Sequence, residues 1–299
     1  MSTFSQIPDV DREILIKLPN RDILELCKSN LYFFNRVCND NFFYRLILKR
    51  YPDFIQYKQD SWSWKRLFLT IVFNEGLIEA SKDVQNLFRY ASETGKFFLV
   101  KLLLADPRVN PADDDNFAIQ YASKKGHTEI VKVLLSDERV NPADKNNLAI
   151  VRASINGHVE VVKLLLADER VNPAARNNYA IRYASEYGHI EVVKVLLADK
   201  RVDPTAASNY AIQFASYNGH TEIVKLLLAD NRVNPAADDN RAIGWASANG
   251  HTGIVKLLLV DPRVDPAADN NRAIQWASEK GHVEIVNLLK QDPRVRALL

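Results

Sequence analysis

Residues 210–240 read YAIQFASYNGHTEIVKLLLADNRVNPAADDN, and nearly the same sentence returns along most of the chain. Gly-His pairs stand at Gly126-His127, Gly157-His158, Gly188-His189, Gly219-His220, Gly250-His251 and Gly281-His282, each 31 residues after the last. A degenerate copy places Gly95-Lys96 at the same interval upstream. A fixed period between 20 and 50 residues is the signature of a stacked repeat architecture.

Each copy parses alike. Tyr210–Asn218 contains neither Gly nor Pro and follows Asn209, so it reads as a short helix with an asparagine start signal. Gly219 stops it, because glycine adopts the left-handed conformation that ends helices. Thr221–Ala229 is a second helix, apolar over a broad face through Ile223, Val224, Leu226, Leu227 and Leu228. Asp230 to Asp239, with Pro235, is a turn-rich connection. One unit is therefore helix, turn, helix, loop. About seven aliphatic side chains, worth roughly 1.5–3 kcal/mol each when buried, cannot offset about 1–2 kcal/mol of backbone ordering per residue. A unit folds only when neighbours cover its flanks.

The Gly-His turn, the following E-[IV]-V-K-[LV]-L-L helix and the Ala215-Ser216 pair resemble the ankyrin repeat, over residues 86 to 299 and about seven units. The resemblance implies an all-α ankyrin-repeat solenoid. Two departures stand out. The family's T-P-L-H helix start is replaced by Tyr210-Ala211-Ile212-Gln213 and its equivalents, and the unit is two residues short of the usual 33. The lost residues fall where the family forms a projecting β-hairpin, so the hairpins are expected to be reduced or absent.

Composition sets the limits. The chain has 299 residues, 47% hydrophobic and 25% charged, with net charge +2. Residues 1–85 carry 12 Lys/Arg against 11 Asp/Glu, and the repeats are balanced in the same way, so no basic stripe points to nucleic acid. Two cysteines, Cys27 and Cys38, lie outside the repeats and lack C-x-x-C spacing. This favours an intracellular, cytoplasmic protein without a disulfide framework, the nucleus remaining open. The polar, acidic start is unlike a signal peptide. No apolar run approaches the ~18 residues of a membrane span.

Residues 1–50 do not repeat. The order Ile7-Pro8, Leu18-Pro19, Asp22-Ile23 and Asp40-Asn41-Phe42-Phe43 resembles an F-box, with Ile7 in place of Leu and Phe in place of Trp. The resemblance implies a small helical domain whose residues Ile7, Pro8, Leu18 and Pro19 contact a Skp-type adaptor. The alternative is a helical cap on the repeats. Three helices rich in apolar surface make a marginal lone domain and point to a partner. Residues 51–84 read as a connecting helical segment, with Ser/Asp capping ahead of Leu67–Phe73. The expected domains are thus 1–50, 51–84 and 85–299.

No site for chemistry emerges. The six histidines share one repeat position, too sparse for the four ligands of structural zinc, and neither a nucleophile–base constellation nor a phosphate loop occurs. No enzyme, cofactor or metal is expected. The recurring Asp-x-Arg element (Asp199/Arg201, Asp230/Arg232) repeats identically, so it reads as turn structure.

What varies between repeats carries the information. The first helices start with Asn86, Phe117, Leu148, Tyr179, Tyr210, Arg241 and Arg272. Four residues on, along one helical face, come Tyr90, Tyr121, Arg152, Tyr183, Phe214, Trp245 and Trp276. In the ankyrin family such a face lines the groove where partners dock. Tyr179, Tyr183, Tyr210, Phe214, Arg241, Trp245, Arg272 and Trp276 are the candidate protein-binding residues, Tyr, Trp and Arg being the residues that dominate interfaces. The rival reading is packing between repeats, which a row containing Arg152 argues against. Two guanidinium groups beside two indoles would clamp a carboxylate or phosphate on an acidic partner.

The function these readings imply is an adaptor with a protein target on the repeat groove and a Skp-type protein on residues 5–50, and with no nucleic acid or membrane. It would be a substrate receptor of a Skp-cullin-F-box ubiquitin ligase; a plain interaction scaffold is the alternative. A monomer is expected. The combination resembles proteins of large DNA viruses and some protists.

Overall fold

In the computed structural model, residues 19–20, 22–24 and 40–298 are described. Ile7, Pro8, Leu18, Cys27 and Cys38 lie outside them. Among the described residues the chain is all helix, without strands, so the projecting hairpins are absent as the short period implies. The chain forms two compact units, one of residues up to 88 with 96–109, the other of 89–95 with 110 onward.

The first unit is built on aromatic packing. Helix α1 (Asp40–Arg50) buries Phe42, Phe43, Leu46 and Ile47. Helix α2 (Trp64–Ala80) buries Leu67, Phe68 and Ile71. Their faces meet, with the Phe43 and Phe68 rings 5.3 Å apart. Ser63 caps α2 by accepting the Arg66 N–H, and Asp40 accepts the Lys65 N–H from across the unit. The second helix of the first repeat (Phe97–Leu104) joins this unit, stacking Phe98 on Phe54 and Trp62. A polar cluster covers one side. The Tyr51 hydroxyl donates to Glu75, and Asn20 donates to the other Glu75 oxygen at 2.9 Å. Burial, then the Glu75 carboxylate, pushes the Tyr51 phenol well above its ordinary range.

In the second unit each repeat presents two helices, as at Ala206–Tyr217 and Thr221–Leu228. Adjacent first helices pack on one another, and so do adjacent second helices. Ala211, Ile212, Ala215, Ile223, Val224 and Leu227 are buried, and their equivalents recur in each repeat. Gly219 has φ +83 and ends the first helix in a Schellman turn, the His220 N–H reaching back 2.9 Å to the Ala215 carbonyl.

The sequence reading did not foresee what precedes that helix. Three consecutive residues adopt left-handed backbone, as at Ala207, Ser208 and Asn209, and the same triplet recurs in six repeats. Left-handed backbone costs roughly 1–2 kcal/mol per residue outside glycine. Asparagine ends every triplet: Asn116, Asn147, Asn178, Asn209, Asn240 and Asn271. Asn209 does not cap its own helix. Its Oδ1 accepts the backbone N–H of Asn234 in the next repeat at 2.7 Å, and Asn116, Asn147, Asn178 and Asn240 repeat that bond at 2.7–2.8 Å.

Two more ladders run between repeats. Each histidine donates from Nε2 to a carbonyl 34 residues earlier, over 2.7 to 3.1 Å. The acceptor is a carbonyl, so Nε2 carries the proton. A Cβ on Gly157 would stand 2.6 Å from the His189 ring, so that glycine supplies both the positive φ and the room. The Asp-x-Arg element does more than form its own turn. Arg201 forks onto Asp199 and also donates to the Val171 and Leu166 carbonyls of the preceding repeat. The arginine fork holds these carboxyls below the usual range, Asp106 at about 2. Their contribution to stability is complete above the ordinary carboxylate pKa and is lost as the pH falls through the lowered one.

The histidines are thus structural hydrogen-bond donors. His189→Ala should lower stability by about 1 kcal/mol, the net worth of one such bond. Chelators should leave the melting temperature unchanged. A chelator-induced fall in melting would contradict this role.

Candidate protein-binding surface

The half-buried row of the first helices combines the aromatic candidates of repeats four to six in a continuous run of rings. Tyr179 meets Tyr183 edge-on at 5.0 Å, and Tyr183 lies 5.9 Å from Tyr210 of the next repeat. Tyr210 stacks on Phe214 at 3.8 Å, and Phe214 meets Trp245 of repeat six edge-on at 5.0 Å. All of these rings are half-buried. The run is therefore both a surface and a seam between repeats four, five and six. Trp276 continues it differently, with its indole packed over Gly244 of the preceding repeat.

Charges are threaded through the rings. Arg182, which the sequence reading did not single out, lies over Tyr210 at 4.4 Å and over Tyr179 at 4.9 Å. Arg152 lies 4.5 Å over Tyr121, so a guanidinium fits inter-repeat packing after all and is no argument against it. The Tyr210 hydroxyl donates to Glu186, and burial together with that carboxylate raises its pKa well above the ordinary phenol value.

Repeats six and seven correct one expectation. Arg241 and Arg272 do cover the indoles of Trp245 and Trp276, at 5.3 and 5.1 Å. Each guanidinium is also paired with the aspartate three residues before it: Arg241 with Asp238 at 3.1 Å, Arg272 with Asp269 at 2.6 Å. Two free positive charges for an acidic partner are therefore not on offer. Helical spacing gives no signal for these pairs, because Asp238 and Asp269 stand in the left-handed turn, at φ 52 and 51. Pro19 is exposed, whereas Phe42 and Phe43 are core residues of the first unit.

Comparison with known families now bears on the fold. A family model described as ankyrin repeats matches residues 87–177, 138–209, 181–269 and 212–297. The chain belongs to the ankyrin-repeat family. No curated protein matches it at a significant level. Ankyrin repeats support a protein–protein interaction role, and proteins built of them are generally interaction scaffolds. Among the described residues no helix is long and apolar enough to cross a membrane, and no cluster of His, Cys, Asp and Glu could hold a metal ion.

The ring seam makes a separable forecast. Trp245→Ala should cost about 3 kcal/mol in a denaturant titration, as a large aromatic truncation does. The double variant Arg241→Ala, Arg272→Ala should move stability by less than about 1–2 kcal/mol, because exposed ion pairs contribute little. Trp245→Ala unfolding at the parent's midpoint would show that the seam carries no packing energy.

Proposed function

We propose that the chain is a recruiting adaptor: the ankyrin array holds a target protein through Tyr179, Tyr183, Tyr210, Phe214, Arg241, Trp245, Arg272 and Trp276, while the N-terminal part engages a Skp-type linker of a cullin ubiquitin ligase. The observation that carries the first half is the half-buried, surface-lining run of Tyr, Trp and Arg on successive first helices, the residue types in which interface energy concentrates. The array itself supplies a rigid support, since its turns are tied repeat to repeat by side-chain hydrogen bonds.

The second half rests on the F-box resemblance of Ile7-Pro8, Leu18-Pro19 and Asp22-Ile23. Helix α2 adds support, because Leu69, Phe73 and Leu77 are exposed four residues apart on one face, with Phe73 at 68%. In this reading the segments 1–50 and 51–84 deliver the target held by 85–299 to the ligase, in the cytoplasm of the cell, or of a host if the protein is viral. The plain scaffold is the second reading. It is favoured by the burial of Phe42 and Phe43 against Phe68, which uses the last F-box-like segment as core.

The full chain should capture a Skp-type protein, and the double variant Pro8→Ala, Leu18→Ala should lose it while the array melts as before. Capture undiminished by the double variant, or no capture by the parent chain, would leave only the scaffold.

A further inference from the structure

At four of the six left-handed turns the chain carries an internal image of a ligand; repeat three fills the position with the apolar Val151, and repeat six leaves it without a side chain. Three residues past the start of the right-handed part of those four first helices, a side chain folds back onto the left-handed turn. Gln120 donates to the Asp115 carbonyl, Gln213 to Ser208 and Gln275 to Asn270, at 2.5 to 2.7 Å. Arg182 does the same to Asn177 at 3.3 Å, so the slot accepts a guanidinium as well as an amide. Gln213 is held twice, since its amide also donates to the Asp238 carboxylate of the next repeat at 3.2 Å.

In repeat six the corresponding residue is Gly244. With no side chain there, the Asp239 carbonyl lacks this donor, and Asp269 stands where Asp238 received the second bond. A cavity of about 70 Å³ occupies the place, lined by Asp239, Gly244, Asp265, Asp269, Arg272 and Trp276 among others. That is several times the roughly 10–15 Å³ a single water needs on the same measure. Trp276 closes one side, its ring edge 3.2 Å from where a Gly244 Cβ would be.

The lining selects the occupant. Four carboxylates line the pocket, Asp238, Asp239, Asp265 and Asp269, against two guanidinium groups, Arg241 and Arg272, so the lining has an excess of negative charge. The two arginines are taken up by Asp238 and Asp269. A planar donor carrying positive charge would restore the missing hydrogen bonds and balance the excess, with the Trp276 indole beside it. We infer that this slot receives the guanidinium of an arginine from the partner protein. The inference rests on the reading of the ankyrin array as a protein-binding surface, and it assigns repeats six and seven to a basic segment of that partner.

The test uses the full chain and N-acetyl-arginine amide as the probe, followed by amide and indole resonances. The Gly244 amide and the Trp276 indole N–H should shift saturably. N-acetyl-glutamine amide should bind about threefold to fivefold more weakly, the worth of one exposed charge pair. Gly244→Gln fills the slot from within and should abolish the shifts. Asp269→Asn, which leaves the backbone and the cavity in place, should weaken binding by a similar factor and provides the answer if Gly244→Gln perturbs Trp276. Shifts that do not saturate, that survive both substitutions, or that favour the glutamine probe would overturn the assignment. The readout involves no ligase component, so failure to capture a Skp-type protein neither supports nor harms it.

Discussion

A buried asparagine side chain reaching from one repeat to the backbone of the next sets the terms for the rest of this structure. The left-handed turn that Asn209 ends is unfavourable by itself, on the order of 1–2 kcal/mol for each of its three residues. Asparagine lowers that cost because its short polar side chain tolerates the conformation, and its Oδ1 then satisfies the Asn234 N–H. The turn and the contact between repeats are therefore one device. A repeat in isolation has the strain without the bond, which is a second reason, beside missing apolar burial, that one unit cannot fold alone.

The same turn explains the absence of hairpins. With a 31-residue period the chain must pass from the second helix of one repeat to the first helix of the next in few residues. A left-handed turn reverses it without strands. Arg201 and His189 then bind the loop and the helix turn of each repeat to the one before. These ladders leave the first-helix face free to vary, because every invariant position is already committed to holding neighbours. Function can then be written at positions such as Tyr210, Arg241 and Gly244 without disturbing the array.

Much of this was legible in the chain itself. Helix limits followed from Gly219 and the apolar spacing, and the shared histidine position pointed to structure and not to metal. The left-handed turns were not read, because only glycine was treated as a marker of positive φ, and these triplets contain none. The signal was present, since asparagine recurs at 116, 147, 178, 209, 240 and 271 while its neighbours change. At the surface, the ring row was visible from i, i+4 spacing, but its charge state was not. Arg241 and Arg272 looked free until the turn brought Asp238 and Asp269 beside them. Gly244 passed as one more helical residue, since its meaning depends on what Gln213 does one repeat earlier.

The central claim is that the asparagine ladder couples neighbouring repeats, and the chain contains its own control. Asn271 ends the left-handed turn of repeat seven, and its buried Oδ1 has no hydrogen-bond partner because the Arg296 N–H, 25 residues on, is taken by the Asp292 carbonyl; its Nδ2 still donates to the Val295 carbonyl at 3.1 Å. Urea unfolding of Asn209→Ala and Asn271→Ala, side by side, isolates the Oδ1 bond to the next repeat, because the Val295 carbonyl that Asn271 also holds keeps the Leu298 N–H in the variant. The coupling account predicts that Asn209→Ala costs about 1 kcal/mol more than Asn271→Ala, the net worth of the bond to the Asn234 N–H, and that its transition broadens as repeats on either side unfold separately. Equal losses in the two variants, with both transitions as sharp as the parent's, would contradict it.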